Sequence, residues 1–282
     1  MSAPAVAWGG GRRRYWLSGI LAVGMVSAWW LGLRPADLVP GSGGMELAGK
    51  FFSGAARPAV TYEAPVPPGT QPIVLKALEA GWTTVRYAAA ATGVALILGL
   101  GLGIGGWGLG KRHGGRALPR WRTAVGLAAR GLSTAMRSVH ELVWAVLFLA
   151  AMGLTPVVAV VAIVIPYAGT FGKIFAEMID EADDSAAAVM RAQGAGRVQV
   201  LCFGVLPTVS TDLVSYFLYR FECGLRSAAV MGFMGVETLG YFIRLSFATA
   251  KYHEMWTYLY VLLAVVALFD VWSGAVRRRL SA

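Results

Sequence analysis

The chain has 282 residues, of which 57% are hydrophobic and 14% are charged, and its mean hydropathy is +0.60. A soluble domain carries roughly 25% charged residues, so this composition excludes an ordinary soluble protein and predicts several membrane spans. The net charge is +10, but most Lys and Arg stand beside apolar segments, which indicates membrane topology rather than nucleic-acid binding. Only Cys202 and Cys223 are present, without a CxxC pair, which gives little support to a disulfide, redox or metal site.

The N-terminal part of the chain predicts a tail, one membrane helix and a segment outside the membrane. Three arginines close the predicted cytoplasmic tail, residues 1–14, and precede an apolar run over 15–33. Because this run is 19 residues long and carries Trp29 and Trp30 near its end, we predict a retained signal anchor. The proline-rich residues 34–82 are predicted to be extracytoplasmic, with a short interfacial helix over 45–56.

Five further spans are predicted within residues 83–276, each near the 20 or so apolar residues that cross the hydrocarbon core. They cover 84–108, 132–154, 156–178, 207–228 and 255–276. The uncharged run from Leu142 to Gly172 is too long for one crossing, and Pro156 divides it. Residues 277–282 form a basic C-terminal tail. The predicted fold class is therefore an all-α polytopic membrane protein with about six transmembrane helices.

The distribution of positive charge predicts the orientation of these spans. Six crossings put both termini on one side, and the segments on that side hold 16 of the 25 Lys and Arg. Because Lys and Arg concentrate on the cytoplasmic side, the prediction is a multi-pass protein with N-in and C-in topology. Residues 179–206, which we call the coupling region, are then cytoplasmic.

The coupling region is a polar, amphipathic interruption between two very apolar segments. Four acidic residues open it, and Ser185 is expected to cap a helix that runs to about Gln193. Gly194 is then expected to end or bend that helix.

This stretch resembles the cytoplasmic coupling loop of ABC importer permeases. The family pattern is Glu-Ala-Ala, three residues, Gly, nine residues, then Ile-x-Leu-Pro. Gly194, Leu206 and Pro207 fall in register with it. The Glu and Ile positions hold Ala188 and Gly204, so the match is partial.

Four other stretches resemble the phosphonate-type branch of these permeases. The family signature Arg-Ser-Ile-Pro-Glu-Leu-Val-Trp-Ala corresponds to residues 137–145, with His140 in place of Pro. The family sequences Gly-Lys-Leu-Phe-Ala-Glu, Arg-Ala-Thr-Gly-Ala and Leu-Tyr-Arg-Trp-Glu correspond to residues 172–177, 191–195 and 218–222. The resemblance covers residues 75–280 and departs again at 236–238, where the family is usually small and Gly-rich.

The resemblance implies a type I ABC importer permease in the bacterial inner membrane. It implies a homodimer, two ABC ATPase subunits and an extracytoplasmic substrate-binding protein, with a phosphonate, phosphite or phosphate as substrate. The chain itself would bind no cofactor or metal and would not be an enzyme, because ATP and magnesium would bind to the ATPase subunits. The residues implied to act in coupling are Ala188, Arg191, Gly194, Ala195, Leu206 and Pro207.

Three ionisable residues within the predicted fifth span, Arg220, Glu222 and Arg226, are candidates for the translocation path. Glu222 and Arg226 are four positions apart and so share one helix face. Glu222 follows Pro207 by roughly 22 Å of helix at 1.5 Å per residue, a depth at which ionisable groups usually face a cavity or a partner. One interpretation is that Arg226 lines an anion path and Glu222 holds it in place. The other is a structural pair of Glu222 with Arg226 or Arg220.

Other polar residues have local interpretations. Glu141 either contacts the coupling region, as the resemblance implies, or is an ordinary carboxylate at a helix start. Lys173, in the motif before the coupling region, is a second possible supporting residue. His140 is predicted to be interfacial rather than a ligand, and Asp270 is expected to pair with an arginine such as Arg277.

Two glycine-rich patterns resemble nucleotide-binding loops but have the wrong context. Residues 105–111 match the first seven positions of a Walker A loop, but Arg112 stands where Ser or Thr is required, and the stretch ends a membrane helix. A GxGxxG pattern over 101–106 lies within the same predicted helix. Gly99, Gly101, Gly103 and Gly105 contain two GxxxG pairs, and this spacing predicts close helix packing instead.

Two other function classes compete with the permease subunit. A permease for another small solute, or a stand-alone secondary transporter or channel, would share the apolar spans, although the two halves show no internal repeat. A membrane enzyme finds little support, since the sequence has no HExxH, no nucleophile elbow and three histidines in total.

Overall fold

The computed structural model describes residues 10–34, 41–107 and 119–280. All regular structure in these ranges is helical, which confirms the all-α prediction. The chain divides into two compact units, Met1–Phe52 and Ser53–Ala282. Helix α1, Gly10–Trp30, lies in the first unit, and α2, Ser42–Ala56, extends across the boundary in sequence. The short helix predicted over 45–56 is therefore present as α2.

The second unit contains nine further α-helices among the described residues. They are α3 (Ile73–Gly106), α4 (Arg120–Ser138), α5 (Glu141–Met152), α6 (Pro156–Glu181), α7 (Ser185–Ala192), α8 (Arg197–Gln199), α9 (Leu206–Met231), α10 (Leu239–Ala248) and α11 (Tyr252–Leu280). A π-helical segment, Val200–Val205, joins α8 to α9 without a break.

Five of the six predicted spans each fall on one apolar helix, and the third falls on the bent pair α4–α5. Four helical stretches are long and apolar enough to cross a membrane: Ile73–Gly106, Pro156–Glu181, Arg197–Met234 and Tyr252–Leu280. Helices α4 and α5 together make a fifth candidate, with a bend of 85° between them. Tyr15–Trp30 is a shorter apolar helix and occupies the predicted first span.

The boundaries of three spans differ from the prediction. Helix α3 begins at Ile73 rather than at 84, directly after a proline that supplies no N–H to the helix. The predicted third span, 132–154, is interrupted after Ser138. The fifth helical stretch begins at Arg197 rather than near Pro207. Because Pro207 cannot donate a backbone hydrogen bond, the wider π-helical turn before it carries the chain into α9.

Helices α3, α6 and α9 form the centre of the hydrophobic core. A Cβ atom at Gly99 would overlap the Cβ of Phe171, and one at Gly103 would lie 2.9 Å from the Cβ of Phe175. Both phenylalanines are fully buried on α6. The close helix packing predicted from the glycine pattern is therefore confirmed for these two glycines, whereas Gly101 faces open space.

Candidate functional site

The coupling region contains the short helix and the glycine turn that the sequence predicts. Helix α7 begins at Ser185, whose N–H and hydroxyl both donate to the carboxylate of Asp183, at 3.2 and 2.7 Å. Ser185 is thus the first helical residue rather than the cap. After α7, Gly194 has a φ of +85°, in the left-handed region that glycine adopts most readily. The N–H of Ala195 then donates to the carbonyl of Met190 at 3.0 Å and closes the turn.

Helix α7 packs tightly against the π-helical segment. Ala187 is fully buried there, and a Cβ atom at Gly204 would lie 3.3 Å from the Cα of Ala187. Gly204, at the position where the family pattern has Ile, therefore permits this approach. Ala188, at the Glu position, is exposed, and Arg191 pairs with Asp184 within the coupling region. The contact of these residues with an ATPase stays a prediction, as it does for the partly buried Leu206 and the exposed Pro207.

A cavity of about 680 Å³ opens beside the coupling region. Its lining includes three acidic side chains and two tyrosines: Glu181, Asp183, Asp212, Tyr216 and Tyr219. Tyr216 separates this cavity from the core, since its ring centre lies 5.9 Å from that of Phe171 and 6.1 Å from that of Phe175.

Glu222 forms its ion pair with α11 rather than within α9. The carboxylate is buried, accepts a hydrogen bond from the hydroxyl of Ser273, and lies 3.3 Å from Nη2 of Arg277. Arg226 is exposed, and its Nη2 lies 3.5 Å from the sulfur of Cys223. The predicted pairing of Glu222 with Arg226 or Arg220 is therefore wrong, because the α9 face that carries Glu222 packs against α11.

The expected pair of Asp270 with Arg277 is also wrong. Asp270 is exposed and takes part in none of the ion pairs among the described residues. Arg277 reaches Glu222 instead, because its side chain extends along α11 toward Ser273, which it also contacts at 3.2 Å.

A second group of polar residues lies where α5, α6 and α9 meet. The hydroxyl of Ser227 donates to Oε1 of Glu141 at 2.8 Å. The hydroxyl of Tyr167 lies 3.0 Å from the same Ser227 oxygen, and the guanidinium carbon of Arg220 lies 4.2 Å from the centre of the Tyr167 ring. We call these four residues the polar cluster. Glu141 is the first residue of α5, as one interpretation predicted, and it also contacts α9, which neither interpretation included.

Arg220 has no ion pair and no hydrogen bond within the part of the chain that the structure describes. Its Nε is buried and has no hydrogen-bond partner, and the same is true of Nε1 of Trp144 on α5. Sequence reasoning missed Tyr167 and Ser227, because single hydroxyl residues in apolar helices usually serve packing. Their partners lie 60 and 86 residues away in the chain.

The remaining candidate residues, Lys173 and His140, make local contacts within or next to their own helices. Lys173 lies 3.6 Å from Glu177, one turn later on the surface of α6. His140 is exposed and caps α5 by accepting from the N–H of Leu142 at 3.3 Å, so it occupies the bend between α4 and α5. Within the described ranges, no three His, Cys, Asp or Glu side chains group in a way that could hold a metal ion.

The sequence also missed an ion pair at the end of α6. Arg130 of α4 donates to Asp180 at 2.6 Å and to the carbonyl of Gly106 at 3.2 Å. Asp180 is buried. Through these two hydrogen bonds, Arg130 connects the ends of α3 and α6 to α4 beside the coupling region.

The departure from the family pattern at 236–238 borders a second cavity. This cavity has a volume of about 300 Å³, and Lys76, Glu79 and Glu237 are among its lining residues. Val236 and Thr238 are buried in the core, so only the glutamate of the three residues faces this space.

Comparison with known proteins identifies the family. Residues 116–282 match the family described as binding-protein-dependent transport system inner membrane component. A phosphite transport system permease protein of Stutzerimonas stutzeri is 37% identical over 150 residues, which are 53% of this chain and 54% of that protein. A phosphate-import permease protein of Mycolicibacterium smegmatis is 30% identical over 155 residues, which are 55% of this chain and 29% of that protein. The chain thus spans about half the length, or less, of these curated relatives.

Solved structures share the fold. A chain of the MetNI methionine ABC transporter in an inward-facing conformation has a TM-score of 0.63 at 17% identity and covers 73% of this chain and 96% of its own length. A bacterial ABC transporter that imports alginate has a TM-score of 0.52 at 12% identity over 98% of this chain and 99% of the other. The predicted ABC importer permease fold is therefore confirmed. Since the family match covers more than half of the sequence, the protein belongs to the family of binding-protein-dependent transport system inner membrane components.

Proposed function

We propose that this chain is the permease subunit of an ATP-driven ABC importer and forms the path for a small phosphorus oxyanion. The observation that carries the proposal is the coupling region, in which an exposed short helix is closed by a left-handed glycine. The names of the relatives, which include phosphite and phosphate permeases, support the substrate class. Phosphonate, phosphite and phosphate all fit it.

The packing of α7 gives a physical route by which force would enter the membrane. Ala187 has no exposed surface and contacts Gly204 of the π-helical segment. That segment is continuous with α9, which carries Arg220 and Ser227. Tightly packed elements move together because interiors are dense and resist deformation. A displacement of α7 would therefore be transmitted to α9 and to the polar cluster.

The outer face of the coupling region has room for a partner. Ala188 is small and exposed, Val189 on the same helix is 58% exposed, and a Cβ atom at Gly194 would meet nothing within 4 Å. We assign this face to a groove of an ABC ATPase subunit, which would bind ATP and magnesium. The assembly would contain two copies of this chain, two ATPase subunits and an extracytoplasmic substrate-binding protein, with both termini of this chain in the cytoplasm of a bacterium.

A pull-down tests the coupling role. The tagged chain is extracted gently from native membranes, and the co-purifying proteins are identified. We expect an ABC ATPase with the wild type and its loss with Gly194→Trp, because the indole would occupy the docking face. Gly153→Trp is a matched control, since Gly153 also has positive φ and open space around it but lies in the turn between α5 and α6. It should retain the ATPase.

Transport by the chain alone would contradict the proposal. If the purified chain, reconstituted in liposomes without an ATPase, moved its substrate without ATP, it would be a secondary transporter or channel. If ATP-driven uptake occurred but excluded every phosphorus oxyanion, the chain would be an ABC permease for another solute.

A further inference from the structure

Arg220 carries a positive charge that no described residue neutralises. Its guanidinium lies over the Tyr167 ring, 4.2 Å from the ring centre, and its buried Nε lacks a hydrogen-bond partner. An ionisable group within a membrane span is costly and usually faces a partner or a path. The cation–π contact offsets part of that cost but leaves the N–H donors of the guanidinium free.

The carboxylate nearest to Arg220 in sequence is directed elsewhere. Glu222 is two positions later on α9, and two residues turn a helix by roughly 200°, so the two side chains leave opposite faces. Glu222 is held by Ser273 and Arg277 of α11. The ion pair that would weaken the attraction of Arg220 for an anion is therefore not formed.

The second carboxylate of this region is occupied by a hydroxyl. Glu141 accepts a hydrogen bond from the hydroxyl of Ser227, which leaves the Ser227 oxygen to accept one from the hydroxyl of Tyr167. This chain of hydrogen bonds fixes the Tyr167 ring, which is only 3% exposed, as a rigid platform for the guanidinium. Glu141 thus positions Arg220 through Ser227 and Tyr167.

Arg220 lies one helical turn from a cavity. Tyr216, four residues earlier on the same face of α9, lines the 680 Å³ cavity beside the coupling region. Displacement of Tyr216 would connect Arg220 with this cavity, whose acidic side chains repel an anion and would favour its release from Arg220 rather than its retention in the cavity.

We propose that Arg220, supported by Tyr167, Ser227 and Glu141, forms a binding site for a tetrahedral oxyanion within the permease itself. The planar guanidinium presents paired N–H donors that match two oxygens of a phosphoryl group. The unpartnered indole N–H of Trp144, one turn after Glu141 on α5, is a further donor on the helix that meets α9 there. That the anion is a phosphorus oxyanion rests on the proposed function.

The test measures binding to the full chain without its partners. Purified protein in lipid nanodiscs is titrated with inorganic phosphite by calorimetry. We expect saturable binding that is weakened about tenfold or more in Arg220→Gln, since charge-assisted hydrogen bonds are the strong ones. Arg220→Lys should bind with intermediate affinity because it keeps the charge and loses the fork.

The chain offers a matched control. Arg244 also lies over a tyrosine ring, 5.9 Å from the centre of Tyr241, but it is exposed on α10. Arg244→Gln should bind phosphite as the wild type does. Tyr167→Phe keeps the ring and removes the hydroxyl, so its phosphite affinity should fall less than that of Arg220→Gln. Melting temperatures of all variants identify any that fail to fold. If Arg220→Gln is one of them, the phosphite affinity of Arg220→Lys is compared with that of the wild type instead.

Any of three results would overturn the site. The first is that the wild type does not bind phosphite, and the second is that Arg220→Gln and Arg244→Gln bind it with equal affinity. The third is that phosphite affinity falls in Arg226→Gln but not in Arg220→Gln. The proposed function is judged separately by ATP-driven uptake in the assembled importer. Uptake of phosphite with an unchanged affinity in Arg220→Gln would refute the site and retain the importer. Phosphite binding that depends on Arg220, without ATP-driven uptake, would support the site and refute the importer.

Discussion

Arg220 and Glu222 are two positions apart on α9 and have opposite environments. Glu222 is buried in an ion pair with α11, whereas Arg220 contacts an aromatic face and has no ion pair within the described residues. A buried ion pair adds little net stability, but removal of one partner leaves an uncompensated charge. At the residue scale, Glu222 therefore fixes the packing of α9 against α11, and Arg220 is the group that is available to bind an anion.

The ion pair of Glu222 gives a stability prediction. Arg277→Ala leaves the buried carboxylate with Ser273 alone and should destabilise the protein by about 1–2 kcal/mol, at the low end for a buried polar group that loses its partner because Arg277 is 35% exposed. The double variant Glu222→Gln/Arg277→Ala should cost less than the sum of the single changes. Thermal unfolding in detergent measures both.

Glu46→Gln is the control for that experiment, since the pair of Glu46 with Lys50 is largely exposed and such pairs contribute little. Equal melting temperatures for Arg277→Ala and Glu46→Gln would show that the α9–α11 contact does not depend on this charge.

At the scale of the elements, glycines decide how closely helices approach. Gly99 and Gly103 bring α3 onto α6, and Gly204 brings the π-helical segment onto α7. The first contact builds the core, and the second connects the coupling region to α9. Both depend on the absence of a side chain at one face of one helix, so each can be disturbed by a single substitution.

Gly99→Ala should destabilise the core by about 1–3 kcal/mol, the usual cost of overpacking, because its Cβ would overlap Phe171. Gly101→Ala lies on the same helix with nothing within 4 Å and should stabilise by about 0.5–1 kcal/mol, since alanine loses less backbone entropy than glycine. Melting temperatures should therefore move in opposite directions. A shift of the same sign in both variants would contradict the packing of α3 on α6.

Gly204→Ile restores the family residue but should displace α7. Its Cβ would lie 3.2 Å from the sulfur of Met190 and 3.3 Å from the Cα of Ala187, and the branched side chain needs more room still. We expect trypsin to cleave this variant faster after Arg191 and Arg197 than it cleaves the wild type. Mass spectrometry of the peptides measures the rate. Gly196→Ala, where a Cβ atom meets only Gln199 at 3.5 Å, should be cleaved as the wild type is. Unchanged cleavage of Gly204→Ile would mean that α7 tolerates a side chain there.

At the scale of the whole molecule, the spans and the charge bias together predict the orientation in the membrane. Four helical stretches and the bent pair α4–α5 supply the long apolar segments of the described residues. The coupling region lies between two of them. The positive charges of the flanking segments predict that it lies in the cytoplasm.

The exposed thiol of Cys202 reports this orientation directly. In a Cys223→Ser background, a membrane-impermeant maleimide should label Cys202 in inside-out vesicles and not in intact spheroplasts. Val66→Cys in a background without other cysteines should show the reverse, because residue 66 is exposed in the predicted outer segment. Labelling of Cys202 in intact spheroplasts would show that the orientation is opposite to the predicted one.

Local properties of the sequence determined the helices of this protein and the position of its coupling region. Membrane helices follow from the apolar length of each segment, and the end of α7 follows from a glycine in the left-handed region. Both depend on residues close together in the chain. For the same reason, the glycine spacing predicted close packing of α3 against another helix, but only the structure shows that this helix is α6.

Only the tertiary structure decided which polar groups meet. Glu222 and Arg277 are 55 positions apart, and Glu141 and Ser227 are 86 apart, so their contact depends on how each helix is rotated about its axis. The four-residue spacing of Glu222 and Arg226 predicted a shared face, but packing against α11 buried one and left the other exposed. The free charge of Arg220 follows from the same rotation, because it turns the neighbouring carboxylate toward another helix.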